Sequence, residues 1–500
     1  MHDEERGRGM IARAVAGALL LVAAAAGVAA LALALGLGDR EPLTLRVAQV
    51  TRDASAASEP DADPLAWDRS RRAQFEQRAA TGSSHVIYEM SPGGAVASAK
   101  RTAAYRAQIE AAAERHGVDA DTLEAVIFLE SAGRPNVIAG PTPESAAGLA
   151  QILPSTATDL LGMSVDLPQS IAITERISHS RSPAQTDRLE AERASVDQRF
   201  DPEAAIDGAA RYLELAGERF GDDELAVVSY HMGIGNLETV LRTYAGADDA
   251  TPIGDLVAAD QLSYARIYFD SGPDSHRAAY ELLSGFGDES ADYLWKVLAS
   301  EQVMELYRKD PERLAATAEL ATNKATMEEV FHPENETPVF DDPGAIEDAI
   351  DDGDLLPLPD QPALGWEPDR DIGELAAQLD QSPELYRALR PEALATLTYM
   401  AGLVRNISGA ATPLQVTSAV RDREYQDLLV GVNPEATREY SLHTTGWAFD
   451  IRRDYESRRQ AEAFQFVLNR LRALALIDYA VEPGAIHVTV SNLGGELLRG

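Results

Sequence analysis

From Ala14 to Leu37 the chain carries no charged side chain. Such a run, as a helix, is long enough to cross the roughly 30 Å hydrocarbon core of a bilayer. Arg6, Arg8 and Arg13 precede it, and basic residues on a short flank keep that flank in the cytoplasm. The expectation is a cytoplasmic tail over residues 1–13, a transmembrane anchor over 14–37, and the bulk of the chain outside the cell membrane as a single-pass protein. Ala32-Leu33-Ala34 has small residues at cleavage spacing, so a removed signal peptide is the alternative, although the apolar run exceeds a usual signal core.

The rest of the chain must supply its chemistry without thiols. There is no cysteine, so a metal would sit on His, Asp or Glu. A formal net charge of −37 and the lack of any basic stripe exclude sequence-independent binding to nucleic acid. With 500 residues there is room for two or three domains. Residues 38–100 mix Asp, Ser, Pro, Gly and Arg without sustained periodicity and are expected to form a spacer with little order. From 101 to 325 short amphipathic runs with caps and Gly breaks predict a mostly α domain. Acidic residues then accumulate between Glu334 and Asp354 with no Lys or Arg, and LLPLPDQPALG comes next, so residues 326–372 are expected to be an extended linker. In 373–500, PEALATLTYMAGLVRNI and EAFQFVLNRLRALALI predict helices, and PLQVTSAV, IDYAV and AIHVTV predict strands: a small α+β domain.

In VDADTLEAVIFLESAGRPN, Asp119 or Asp121 caps a helix whose apolar positions Leu123, Val126 and Ile127 share a stripe with Glu130. A carboxyl on an apolar stripe, at a helix C-terminus closed by Gly133, feels desolvation and the negative end of the helix dipole. Both raise its pKa, and a glutamic acid that keeps its proton near neutral pH suits general-acid cleavage of a glycosidic bond. The bland alternative is a Glu satisfied by solvent or neighbours.

FLESAGRPN, AAGLAQILPSTA, RFDPEAAIDGAARYL and LAVVSYHMGIGN, in that order, resemble the successive motifs of the soluble lytic transglycosylase (SLT) family over roughly residues 101–245. The resemblance implies a lysozyme-like helical fold and cleavage of the MurNAc–GlcNAc bond of peptidoglycan glycan strands with a 1,6-anhydro product. By it, Glu130 is the sole catalytic acid, and Ser131, Gln151, Tyr230 and His231 stand at substrate-binding positions. One carboxylate suffices where the sugar's own acetamido and hydroxyl groups are the nucleophiles. Ala150 and His231 replace the family's usual Met and Asn, and some forty residues separate Thr156 from Phe200, which bears on substrate contacts. The aromatic-rich helix DYLWKVLASEQVMELYRKDPERL is expected to pack around the cleft as core.

SLHTTGWAFDI sets His443 and Asp450 seven positions apart, a neutral imidazole and a carboxylate that suit zinc, with His487 the natural third ligand. S-x-H-x-x-G-x-A-x-D, preceded by LQVTSAVRDREYQ, resembles the M15 family of zinc D-Ala-D-Ala carboxypeptidases over about residues 390–490. By that resemblance His443, Asp450 and His487 hold zinc, and Arg421 faces the substrate. The family's catalytic acidic residue, three positions before the last histidine, is Gly484 here. Glu482 is the expected substitute: a type II turn over EPGA would set Glu482 opposite Ala485 and Ala480 opposite His487. The chain therefore reads as a membrane-anchored wall enzyme with one module for glycan strands and one for stem peptides. The alternatives are a non-catalytic peptide-binding C-terminal module, or an inactive scaffold that recruits wall-synthesis partners.

Overall fold

Apolar periodicity, Asp or Ser caps and Gly stops dictate the first half of the fold. In the computed structural model, which describes residues 42–433 and 436–498, helices run over Arg106–His116, Ala120–Ser131, Leu167–Ser178, Pro183–Val196, Pro202–Phe220, Asp223–Met232 and Ile234–Ala245. Shorter helices come after these, then Tyr293–Lys309 and Pro311–Asn323. Asp119, Ser182, Asp201 and Asp222 each accept a hydrogen bond from a first-turn N–H, which satisfies donors that have no partner inside the helix. Gly117, Gly221 and Gly246 close helices in the left-handed conformation.

The Tyr293–Lys309 helix packs along the Ala120–Ser131 helix. Phe128 from the second meets Ala299, Val303 and Met304 from the first in one buried cluster, which Leu314, Ala321 and Met327 extend. The architecture is the mostly helical, lysozyme-like one expected for this half.

The C-terminal sequence folds as a five-stranded sheet of order β2-β4-β5-β7-β6, with β2 Trp366–Pro368, β4 Leu414–Ser418, β5 Ala448–Arg452, β6 Ile477–Val481 and β7 Ala485–Val490. Only β2 and β4 are parallel among its neighbours. The helices Pro391–Ser408 and Arg458–Ala473 pack on each other and on this sheet. A separate two-stranded ladder joins β1 (Leu356–Pro357) to β3 (Ala388–Leu389).

Two segments depart from expectation. Within 38–100, helices form over Leu43–Ala57, Arg72–Gly82, Ser84–Met90 and Ala95–Ala103. Ile87, Tyr88, Ala95 and Ala99 belong to the same buried cluster as Phe128, so their apolar side chains have a distant core to enter. Residues 326–372 are likewise folded. Asp342 caps a helix over Pro343–Asp352 that buries Ile346 and Ala349, and Gly353 ends it at φ 76°. The acids that suggested repulsion lie largely on its solvent side, so Ile346 and Ala349 decide the local structure. From Val50 onward the chain forms one compact unit. The expected anchor, residues 14–37, lies outside the described residues. Among those described, no helix is long and apolar enough to cross a membrane.

Candidate functional site

Glu130 ends its helix where expected, on the stripe of fully buried Leu123, Val126 and Ile127. Asp119, not Asp121, is the cap, accepting from the N–H groups of Asp121 and Thr122. The helix turns off through Ala132 at φ 52° and Gly133 at φ 69°. A Cβ on Gly133 would meet the backbone nitrogen of Thr102 at 2.5 Å, so this glycine permits the turn and the approach of the Ala95–Ala103 helix.

The Tyr293 hydroxyl donates to Glu130 Oε1 at 2.7 Å. Burial pushes the Glu130 carboxyl up to about 7; the Tyr293 bond pulls against that and the Glu289 charge adds to it. Sequence reasoning placed Tyr293 in the packing core. Its ring is indeed buried, and its hydroxyl alone reaches the acid, a distinction that helical periodicity does not encode.

Tyr293 is held by two other candidates. The Tyr230 ring lies parallel to it at 6.5 Å, and the His231 ring stacks on it at 5.1 Å. Tyr230 donates its own hydroxyl to the Ala150 carbonyl at 2.8 Å, which joins the fourth motif to the second. Gln151 and Ser131 have partners within the protein. Gln151 spends its amide on the carbonyls of Val137 and Gly148. Ser131 is buried and donates to the Ile127 carbonyl at 3.1 Å. Both therefore shape backbone near the acid, because each polar hydrogen has a local acceptor.

The second and third motifs meet through Arg199. Its fully buried guanidinium donates to the carbonyls of Pro143, Ser145 and Ile152 while pairing with Asp197. A Cβ at Gly148, which sits at φ +80°, would lie 1.7 Å from the Arg199 carbonyl oxygen. The intervening forty residues form the Leu167–Ser178 and Pro183–Val196 helices, which pack on each other.

The second site lies on the sheet. Ser418 pairs with Asp450 across β4 and β5, and Asp450 pairs with His487 across β5 and β7, so three adjacent strands present one row of side chains. His443 arrives from the turn Leu442–Thr445. Its Nδ1 is 2.8 Å from the Ala419 carbonyl, which fixes the tautomer that leaves Nε2 as an acceptor. That Nε2 lies 3.2 Å from Asp450 Oδ1, and His487 Nδ1 lies 2.9 Å from the same oxygen. One donor atom from each of His443, Asp450 and His487 falls within 4.8 Å of the others. A buried imidazole, a partly buried one and a carboxylate, the first imidazole already oriented by a backbone carbonyl, fit a zinc ion.

Charge is concentrated around these three side chains. Burial and the nearby Arg421 lower the His443 pKa. Although burial opposes ionisation, the two histidines hold Asp450 well below the usual carboxylate range. His487 is pushed up to about 10 against its burial by Asp450 and by Glu328. Arg421 donates to Ser418 Oγ at 2.6 Å and to Gln426 Oε1 at 3.0 Å, and lies 3.6 Å from Asp450 Oδ2.

Arg421, Asp450, Tyr386, Tyr425 and Glu482 line a cavity of about 380 Å³. The hairpin register is the expected one: Ala480 faces His487, and the Glu482 N–H donates to the Ala485 carbonyl at 2.9 Å. The turn type is not. Gly484 is absent from the residues with positive φ, and a type II turn requires positive φ there. Glu328, whose carboxylate lies 3.4 Å from His487 Nε2, was hidden within the expected linker, where one more acid carries no local signal.

Residues 107–172 and 179–252 match the family described as Transglycosylase SLT domain. No curated protein matches the chain.

Proposed function

We propose that this chain, which carries an SLT transglycosylase domain within residues 107–252, uses Glu130 to cleave peptidoglycan glycan strands without water. The SLT domain implies lytic transglycosylase activity on peptidoglycan. The observation that carries the Glu130 assignment is a carboxyl with a pKa pushed up to about 7, held by one tyrosine hydroxyl. Near neutral pH such a group both gives and takes a proton. Protonated Glu130 gives its proton to the glycosidic oxygen as the bond from MurNAc C1 breaks. The resulting carboxylate takes the proton of the sugar's 6-hydroxyl, whose oxygen closes on C1 as the 1,6-anhydro ring. Glu130 is left protonated, ready for another turnover. The Tyr293 hydroxyl keeps the carboxyl in place through both transfers, and Tyr230 and His231 brace Tyr293.

His443, Asp450 and His487 are proposed to hold zinc, with stem peptide as the ligand of the adjoining cavity. When bound there, zinc would supply Lewis acidity toward a peptide carbonyl. Arg421, largely buried at the cavity wall, would orient an anionic group of the peptide, and Glu482 on the same wall would take a proton. Residues 14–37 would hold the protein at the cell membrane, with these sites outside.

Mass spectrometry of fragments released from peptidoglycan by the purified chain, beside a Glu130→Gln control, tests the reading. Fragments ending in 1,6-anhydroMurNAc from the parent alone are expected. Equal release by the control removes Glu130 from the chemistry. Shortened stems in the same digest, lost in Glu482→Gln, are the expected signature of the second site; intact stems leave a peptide-binding module.

A further inference from the structure

The segment 324–332 continues from the last helix of the transglycosylase half and crosses onto the sheet. Met327 sits in the same buried cluster as Phe128, two residues before Glu130, and its N–H donates to Asp478 of β6 at 2.8 Å. His332 Nε2 lies 2.7 Å from the Val490 carbonyl at the end of β7, and its ring stacks on Trp447 at 4.3 Å. Tyr440 donates to the His332 carbonyl. Anchors at Met327 and His332 therefore hold the short helix Glu328–Phe331 against β7.

Glu328 is buried, 8% exposed, and a buried carboxylate is tolerated only when paired. One oxygen, Oε2, meets two partners: Thr326 Oγ1 donates at 3.0 Å and His487 Nε2 lies at 3.4 Å. The other ring nitrogen of His487 faces Asp450. The imidazole thus lies between two carboxylates, its Nε2 3.4 Å from both Glu328 Oε2 and Thr489 Oγ1 and its Nδ1 on the side where His443 Nε2 also converges.

We propose that Glu328 is the positioning carboxylate of the metal site. It accepts the Nε2–H of His487, sets the tautomer, and so presents Nδ1 to the ion beside Asp450 and His443. A carboxylate behind a ligating histidine raises the basicity of the ligand and holds its ring plane. The inference rests on the reading of His443, Asp450 and His487 as zinc ligands. It adds that the site on the C-terminal sheet is completed by a residue from outside the α+β sequence.

The test is zinc affinity of the full-length chain, measured by chelator competition for the parent, Glu328→Gln and His443→Ala. Selective ¹⁵N-histidine spectra of the zinc-loaded protein accompany it. Gln keeps the size of Glu328 and removes its charge, so a packing role alone would leave affinity unchanged. The expected result is a roughly 10–100-fold weaker affinity in Glu328→Gln, loss of the site in His443→Ala, and a parent spectrum with His487 metallated at Nδ1 and protonated at Nε2. Parent-like affinity in Glu328→Gln alongside loss in His443→Ala overturns the role of Glu328 and leaves the metal site standing. Zinc on Nε2 of His487 overturns it equally. A parent chain that binds no zinc removes the metal reading, and this role with it.

Discussion

Burial raises the Glu130 pKa, and a single hydroxyl works against it. Tyr293 donates to the carboxyl oxygen, and a donor to a carboxylate stabilises the charged form, so this bond lowers a pKa that burial raises. The acid must be protonated to attack the glycosidic oxygen, so activity is expected to fall as pH rises through about 7. Tyr293→Phe removes the stabilising donor and leaves the burial. Its alkaline limb should therefore move to higher pH, while the plateau rate falls by roughly 10–150-fold, the worth of one hydrogen bond to a charged group. A pH–rate profile of both proteins measures the two effects separately. A limb that stays in place or moves to lower pH would show that Tyr293 does not touch the acid during turnover. Neither effect was legible in the sequence. Glu130 announces itself by falling on an apolar stripe, whereas Tyr293 opens a helix whose residues Tyr293 to Val297 are all buried, so periodicity does not single it out.

At the scale of elements, the four transglycosylase motifs meet because backbones approach closely, and Gly148 shows how closely. Its Cβ position is 1.7 Å from the Arg199 carbonyl oxygen, with φ at +80°. Gly148→Ala meets both a steric collision and left-handed strain, which together should cost about 2–4 kcal/mol. A fall of that size in the denaturant-derived stability is expected, together with loss of activity as the loop carrying Gln151 shifts. A parent-like midpoint would mean that the loop relaxes without cost. Local chemistry was readable here: a cap at Asp119 or Asp121, helices matching Pro391–Ser408 and Arg458–Ala473, strands matching Leu414–Ser418, Ile477–Val481 and Ala485–Val490, and the pairing of Ala480 with His487 all come from short-range pattern. The turn at Pro483-Gly484 was misread because the register it closes does not specify the φ of Gly484. The helix Pro343–Asp352 was missed for a different reason. Its Asp342-Pro343 start and its Ile346 and Ala349 spacing were present, but the exposed acids outnumbered them.

Over the whole molecule, the segments taken for tethers are what join the two halves. Phe75, from the expected spacer, packs at 5.0 Å on Phe269 of the helical half, and Asp63 accepts from Tyr399 of the C-terminal half at 2.6 Å. Arg470 of that half donates to the Leu65 carbonyl at 2.9 Å. These contacts span hundreds of residues, so no local window contains them, and composition alone favoured a flexible spacer. The two sites therefore sit in one compact unit from Val50 onward, so the proposed action of both on one polymer would not depend on linker length. The sheet in turn depends on residues N-terminal to it. Residues 373–500 expressed alone would lose the His332 ring over Trp447, the Met327 donor to Asp478, and strand β2 beside β4. Each loss uncovers apolar surface or strands a buried polar group, at about 1–3 kcal/mol apiece. That total rivals the roughly 5–15 kcal/mol that holds a typical domain folded. The fragment is expected to show no cooperative thermal transition, whereas residues 50–500 should unfold in one. Two separate calorimetric transitions in the longer protein, or a cooperative one in the fragment, would restore the picture of independent domains on a tether.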